Sequence, residues 1–346
     1  MSKIAVVLFN LGGPDKISSV RPFLFNLFND PAIIDLPQPL RAIAAFIISL
    51  KRSKTARGIY QQMGGKSPIL EQTTLQAEAL EKKLTDEGKK RGEEYKVFVS
   101  MRYWHPMSPV VVKNVNAFAP DHVLLLPLYP QYSETTTGSS FLDWDATSRR
   151  EGLAAPSTKI CCYPTDLSFI AAHAKLIRDM YWKASEEGQP RMLFSAHGLP
   201  EKLAAKGDPY QWQVGKTVAA VTQILAIDEL DYRICYQSRV GSLEWIGPST
   251  EEEILQAGTD KKPLLVVPIS FVSEHSETLV ELDIEYRKLA DRHGVPGYWR
   301  VPALSVEPLF IESLANLCLN ADRSQKICSF SHTRHCPRNY EQCPCE

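Results

Sequence analysis

Phe9-Asn-Leu-Gly-Gly13 closes the first apolar run of the chain, and 185 residues later (198 against 13) Phe194-Ser-Ala-His-Gly198 closes another. Two more strand ends recur in the same order. Val97-Phe-Val-Ser-Met-Arg102 returns as Ile234-Cys-Tyr-Gln-Ser-Arg239, an offset of 137 (239 against 102). Leu125-Leu-Pro-Leu128 returns as Val266-Val-Pro-Ile269, an offset of 141 (269 against 128). Any two α/β domains share strand patterns, so each match alone is weak; three in one order predict two similar domains facing one another. Around these ends, Ile4–Phe9, Lys96–Ser100, His122–Leu128, Arg191–Ser195, Tyr232–Tyr236 and Leu264–Ile269 read as buried strands. Amphipathic stretches such as Ile69–Leu84, Phe169–Glu186 and Glu277–His293 lie between them. Strands alternating with helices give an α/β class with parallel sheets flanked by helices. We place a first domain at 1–165, a second at 166–310 and an extension with a cysteine-rich tail at 311–346, the C-terminal segment returning to the first domain.

The drop in offset from 185 to 137 leaves about 48 extra residues in the first half, around Val20–Ser67. This insertion holds Phe23, Leu24, Phe25, Leu27 and Phe28, then Pro31, Pro37 and Pro39, the apolar run Ala42–Leu50 and then Lys51, Arg52 and Lys54. Such a segment suits the lip of an apolar pocket for a ligand with acidic tails. It equally suits shallow contact with a membrane surface, or a helical hairpin packed on its own domain.

The chain has 346 residues, 44% hydrophobic and 23% charged, with a net charge of −1, which argues against nucleic-acid binding. Ile4–Phe9 is too short for a signal-peptide core, and Ala42–Leu50 is about half of a membrane span. We therefore expect a cytoplasmic chain, with a peripheral contact to the inner membrane left open. Eight cysteines are too sparse for a disulfide scaffold, yet Cys336, Cys343 and Cys345 crowd the tail. Three thiolates need a fourth ligand for zinc or an iron–sulfur cluster, and Cys161-Cys162 is the obvious internal supplier. Adjacent strand residues point to opposite faces, so one of that pair should qualify. Fortuitous tail cysteines are the alternative.

Leu11-Gly12-Gly13-Pro14 lacks the phosphate-loop patterns, and Pro14 removes an N–H; these glycines are expected to let a ligand approach the backbone. His197 ends a strand, where ligands of open α/β sheets bind. Glu274, Glu277, Glu281 and Glu285 recur at spacings of three and four, so a helix would put them on one face. Either that face is solvated, or it binds a divalent cation or relays protons; His275 at its head favours the second.

Together these blocks resemble the ferrochelatases. The specific stretches are Leu8-Phe-Asn-Leu-Gly-Gly-Pro14, Tyr60-Gln-Gln-Met-Gly-Gly-Lys-Ser-Pro68, Met101-Arg-Tyr-Trp-His-Pro106, Tyr129-Pro-Gln-Tyr-Ser133 with Thr136-Thr-Gly-Ser-Ser140, Ser195-Ala-His-Gly-Leu-Pro200, Ser270–Tyr286 and Glu307-Pro-Leu-Phe310. The resemblance implies two Rossmann-like domains (the chelatase fold) with a porphyrin cleft, and a lyase that inserts Fe²⁺ into protoporphyrin IX at the last step of haem biosynthesis. It puts the catalytic histidine on His197 and the metal-site glutamate on Glu277. Leu11, Arg52, Tyr60 and Ser67 fall on porphyrin-contacting positions, with Arg102 lining the pocket; Arg52 and Ser67 would meet propionates. Glu281 and Asp283 would lie in a polar path for ions or protons. Glu134 stands where animal members carry their first cluster cysteine, and the tail departs from their C-x2-C-x4-C. Some bacterial members are similar to this chain, which implies a [2Fe–2S] cluster on Cys336, Cys343, Cys345 and one of Cys161 and Cys162, with Cys162 preferred. The expected partners are porphyrin and ferrous iron, and the chain is expected as a monomer or homodimer. A cobalt chelatase acting on a corrin precursor and a non-enzymatic haem or metal carrier are the rival readings.

Overall fold

The computed structural model describes residues 1–241 and 243–345. They form two compact units. One comprises Met1–Cys162, Leu314–His335 and the chain from Pro344 onward; the other comprises Tyr163–Ser313 and Cys336–Cys343.

The first unit contains β1 (Ser2–Asn10), β2 (Glu93–Met101), β3 (His122–Pro127), β4 (Ser157–Ile160) and β9 (Ile327–Cys328) in a five-stranded sheet, order β2-β1-β3-β4-β9, with every pairing parallel. β1 and β3 are apolar on both faces, as central parallel strands covered by helices must be. β2 lies at the sheet edge, and its burial is broken by exposed Glu94 and Lys96. The unit's helices are α1 (Val20–Phe28), α2 (Leu40–Gln62), α3 (Ile69–Arg91), α4 (Ser108–Phe118) and α5 (Ser139–Arg150). A π-helix, Glu134–Gly138, runs directly into α5. In α3, Ile69, Ala77, Leu80 and Leu84 form the buried stripe. Burial of each leucine contributes about 1.5–3 kcal/mol. The helix stops at Gly92, which is left-handed at φ 69°, after Lys89, Lys90 and Arg91 have met the negative helix end.

The second unit repeats the plan. Its strands β5 (Arg191–His197), β6 (Tyr232–Gln237), β7 (Leu264–Pro268) and β8 (Tyr298–Arg300) pair in the order β6-β5-β7-β8, again all parallel. This matches β2-β1-β3-β4, so the repeated strand ends do mark two copies of one topology. Around them lie α6 (Leu167–Ala184), α7 (Glu201–Ala205), α8 (Tyr210–Leu225), α9 (Thr250–Asp260) and α10 (Arg287–Arg292), and α11 (Pro308–Leu319) follows β8. A second π-helix, Glu277–Tyr286, precedes α10 and replaces the first half of the single helix read from the sequence. β4, β8 and β9 went unread because two to four residues are too few to show a period.

The insertion is a helical pair, α1 and α2, on the first unit. Val20, Phe23, Leu24 and Tyr60 bury with Tyr103, and Leu11, Phe28 and Trp104 pack against them. The packed-hairpin reading therefore holds for this face. Another set of α2 residues, Leu40, Ile43, Phe46, Ile47 and Leu50, is 45–55% exposed.

Candidate active site

Parallel pairing brings the carboxyl ends of neighbouring strands level, so their last side chains emerge together. In the second unit His197 pairs with Gln237 across β5 and β6, and Ser195 pairs with Pro268 of β7. His197 keeps 41% of its side chain exposed. Its Nδ1 donates to the Gly198 carbonyl at 2.6 Å. That assignment leaves Nε2 as the proton-accepting nitrogen of the neutral ring. Nε2 lies 3.6 Å from Oε1 of Glu277, the first residue of the second π-helix. π-helical turns occur frequently at functional sites.

His275 grips the other carboxylate oxygen. Its Nε2 is 3.2 Å from Glu277 Oε2, and its Nδ1 is 3.0 Å from the Ser273 carbonyl. Both ring nitrogens face acceptors, an environment that favours the charged ring. Burial works against that charge, but Glu277 beside it raises its pKa above the usual histidine value. Burial likewise works against the Glu277 charge; His197 and His275 outweigh it and hold the carboxyl down at about 2. The Phe271 ring sits 4.8 Å from that of His275 and 6.5 Å from that of His197, an apolar wall beside the pair. The geometry offers an imidazole nitrogen 3.6 Å from a carboxylate that lies between two histidines, which suits proton acceptance and cation binding.

The four-glutamate row is neither a uniformly solvated face nor a row of free ligands. Glu274 lies ahead of the helix and accepts from Arg300 Nη1 at 2.8 Å and the Ala303 N–H at 2.9 Å. Arg300 also forks onto Asp283 at 2.7 and 2.6 Å, so Asp283 is engaged. Glu281 accepts from the Ser238 N–H at 2.8 Å and Tyr286 Oη at 3.0 Å. Only Glu285 is exposed. The π-helical path, invisible in a 3.6-residue period, accounts for the separate partners.

In the first unit, Tyr60 and Ser67 are buried, Leu11 is partly buried and Arg52 is exposed. Arg52 stacks over Phe28 at 5.7 Å. Arg102 is a node of a closed network. Its Nε donates to Ser139 Oγ and its Nη2 to Asp30 Oδ2, both at 2.7 Å, with Asp143 3.7 Å from Nη1. Asp30 also accepts from the Tyr103 hydroxyl at 2.8 Å and from Ser139. Sequence reading missed Asp30, which lies just beyond α1 and far along the chain from every one of these partners. The glycine pair also has close neighbours in its own unit. A Cβ on Gly13 would stand 2.6 Å from the Ser67 side chain, and one on Gly12, at φ 83°, 3.0 Å from Trp104 N. The chain's own Ser67 and Trp104 fill the space a Cβ would take at these glycines.

All eight cysteines are buried. Cys161 and Cys162 follow β4 rather than lying in it, so strand alternation does not separate them. Their sulfurs are 3.7 Å apart, and Cys161 Sγ is also 3.5 Å from Cys345 Sγ. Gln213 Nε2 donates to Cys336 Sγ at 3.2 Å. Among the described residues no three metal-ligating side chains are gathered as a ready metal site.

A model of the family described as "Ferrochelatase" matches residues 3–322. The chain is 54% identical over 318 residues to a ferrochelatase of Wolbachia sp. subsp. Drosophila simulans, covering 92% of this chain and 99% of that one. It is 48% identical over 348 residues to that of Pelagibacter ubique (99% and 98%) and 50% identical over 344 residues to that of Caulobacter vibrioides (99% and 97%). Among solved structures, SirB from Bacillus subtilis with Fe3+ aligns with a TM-score of 0.50 at 11% identity, over 91% of this chain and 94% of that one, a likeness of fold. A family model and near full-length relatives at about half identity agree, and the chain belongs to the ferrochelatase family.

Proposed function

We propose that the chain carries out its reaction, insertion of Fe²⁺ into protoporphyrin IX to give protohaem with release of two protons, through His197 and Glu277. The observation that carries this reading is the 3.6 Å approach of His197 Nε2 to the Glu277 carboxylate. His197 accepts a pyrrole proton at Nε2, and Glu277 stabilises the imidazolium that forms. Glu277 also offers an anionic oxygen to Fe²⁺ as the ion sheds water. Leu11, Tyr60 and Ser67 contact the porphyrin and Arg52 meets a propionate. Arg102, already balanced by Asp30 and Asp143, shapes that surface rather than pairing with a substrate acid. In His197→Ala, turnover of Fe²⁺ and protoporphyrin should fall by at least about 10²-fold while porphyrin fluorescence still reports binding. Near-parental turnover in that variant sinks the assignment.

We read the tail as the site of a [2Fe–2S] cluster on Cys162, Cys336, Cys343 and Cys345. The donor chemistry supports it: all four are buried cysteines, the residue type that ligates such clusters, and a side-chain amide donates to Cys336. When bound, the cluster would supply a covalent clasp between distant stretches of chain. Visible absorption with iron and sulfide in the purified protein, lost in Cys336→Ser, is expected; colourless, iron-free protein overturns it. The chain is cytoplasmic in this reading and touches the inner membrane through α2, whose exposed Ile43, Phe46, Ile47 and Leu50 precede Lys51 and Lys54. No helix among the described residues is long and apolar enough to cross a membrane. Phe46→Ser should weaken sedimentation with anionic vesicles; unchanged sedimentation argues against the contact.

A further inference from the structure

Gln237, the last residue of β6, is wholly buried and touches the supports of both groups assigned above. Its backbone carbonyl accepts the Gly198 N–H at 2.8 Å. The Gly198 carbonyl in turn takes Nδ1–H of His197, which sets the tautomer. Its side-chain Nε2 donates to the Glu277 carbonyl and to Glu281 Oε2, each at 3.0 Å. Its Oε1 accepts from the Ser195 hydroxyl at 2.8 Å, and Ser195 lies 2.9 Å from Thr250 Oγ1. Both amide protons and the amide oxygen are thus committed.

The spans involved make this more than a stabilising contact. Ser195 lies two residues before His197 on β5, and Glu277 opens the second π-helix. One buried amide therefore ties the histidine's strand to the carboxylate's helix. Glutamine suits the place because it presents an acceptor to Ser195 and donors to two oxygens at once. A glutamate of the same shape would have no donor for either oxygen and would set a second carboxylate against Glu281.

We infer that Gln237 is a positioning residue for metal insertion, fixing Glu277 against His197; this rests on the assignment of those two residues. Orienting partners of this kind cost about 10–100-fold when removed. The test uses the full chain carrying Gln237→Ala, Gln237→Glu or Ser195→Ala. Turnover is measured across pH with Fe²⁺ varied, porphyrin affinity by fluorescence and folding by thermal melting. In both Gln237 variants kcat should fall about 10–100-fold, with a higher KM for Fe²⁺, a displaced pH profile and porphyrin affinity within about twofold of the parent. Ser195→Ala should shift the same quantities in the same direction by about threefold to tenfold. Turnover of Gln237→Glu within about twofold of the parent overturns the inference, as does a loss of porphyrin affinity equal to the loss of turnover. If neither Gln237 variant folds, Ser195→Ala decides by the same criteria. His197→Ala is run alongside. Retained turnover there overturns the site itself, whereas an inactive His197→Ala beside a normal Gln237→Glu overturns only the role of Gln237.

Discussion

At the end of β1 the chain turns through Gly12 and Gly13, and at the matching end of β5 it turns through His197 and Gly198. At the end of β2 stands Arg102, and at the end of β6 stand Gln237 and Ser238. After β3 and after β7 comes a π-helix headed by a glutamate, Glu134 in one unit and Glu277 in the other. One topology thus serves two chemistries. In the first unit the strand-end groups neutralise one another, Arg102 against Asp30 and Asp143. In the second, a carboxylate lies between two imidazoles with one nitrogen left for a proton. The parallel sheet determines where side chains emerge; their identities determine whether the cluster is saturated or open to reaction.

That contrast breaks most readily at Asp30. Asp30→Ala removes the partner of the buried Tyr103 hydroxyl and leaves Arg102 with Asp143 at 3.7 Å as its counter-charge, and should cost about 3–5 kcal/mol of stability by chemical denaturation. A loss under about 1 kcal/mol means that the network is not closed. The two π-helix heads come next. Glu277→Ala should reduce turnover by about 10²-fold, and Glu134→Ala, whose carboxylate takes the Tyr132 hydroxyl at 2.6 Å, by less than about threefold. Equal losses would erase the division of labour.

A pair of buried histidines gives a smaller effect. His122 has Thr158 Oγ1 3.0 Å from its Nε2, whereas His173 Nε2 is buried without a partner, and burial drives its pKa down to about 3. The unfolded chain takes up this proton near its ordinary value of 6.5, and the folded chain not until about 3. Stability from this group is therefore complete above the unfolded value and lost as pH falls below it. The expected loss between about pH 7.5 and pH 5 is roughly 2 kcal/mol. His173→Leu should flatten that slope in denaturation midpoints, and an unchanged slope would assign the acid lability elsewhere. The smallest effect separates α4 from α9. Ser249 caps α9, accepting the Glu252 N–H at 3.1 Å while Glu252 reaches back to the Ser249 N–H at 2.7 Å. Met107 offers α4 no side-chain cap. Ser249→Ala should cost about 1 kcal/mol, whereas Met107→Ala should leave the α4 start unaffected.

Read alone, the sequence already determined the two parallel α/β halves, their order and the prominence of His197, Glu277 and the tail cysteines. Apolar runs, turn residues and strand-end repeats are local patterns, legible without knowing what packs on what. The local code did not contain the π-helical path of Glu277–Tyr286, because the same residues also satisfy a 3.6-residue period. Nor did it contain the roles of the glycine pair or of Cys161 and Cys162, which depend on which neighbour fills a space or where a strand stops. Tertiary structure alone decided the partners: Asp30 meets Ser139 across 109 positions, and Gln237 meets the Glu277 carbonyl across 40. Hydrogen bonds between buried polar groups form where folding brings donor to acceptor, and no pattern along the chain records that meeting.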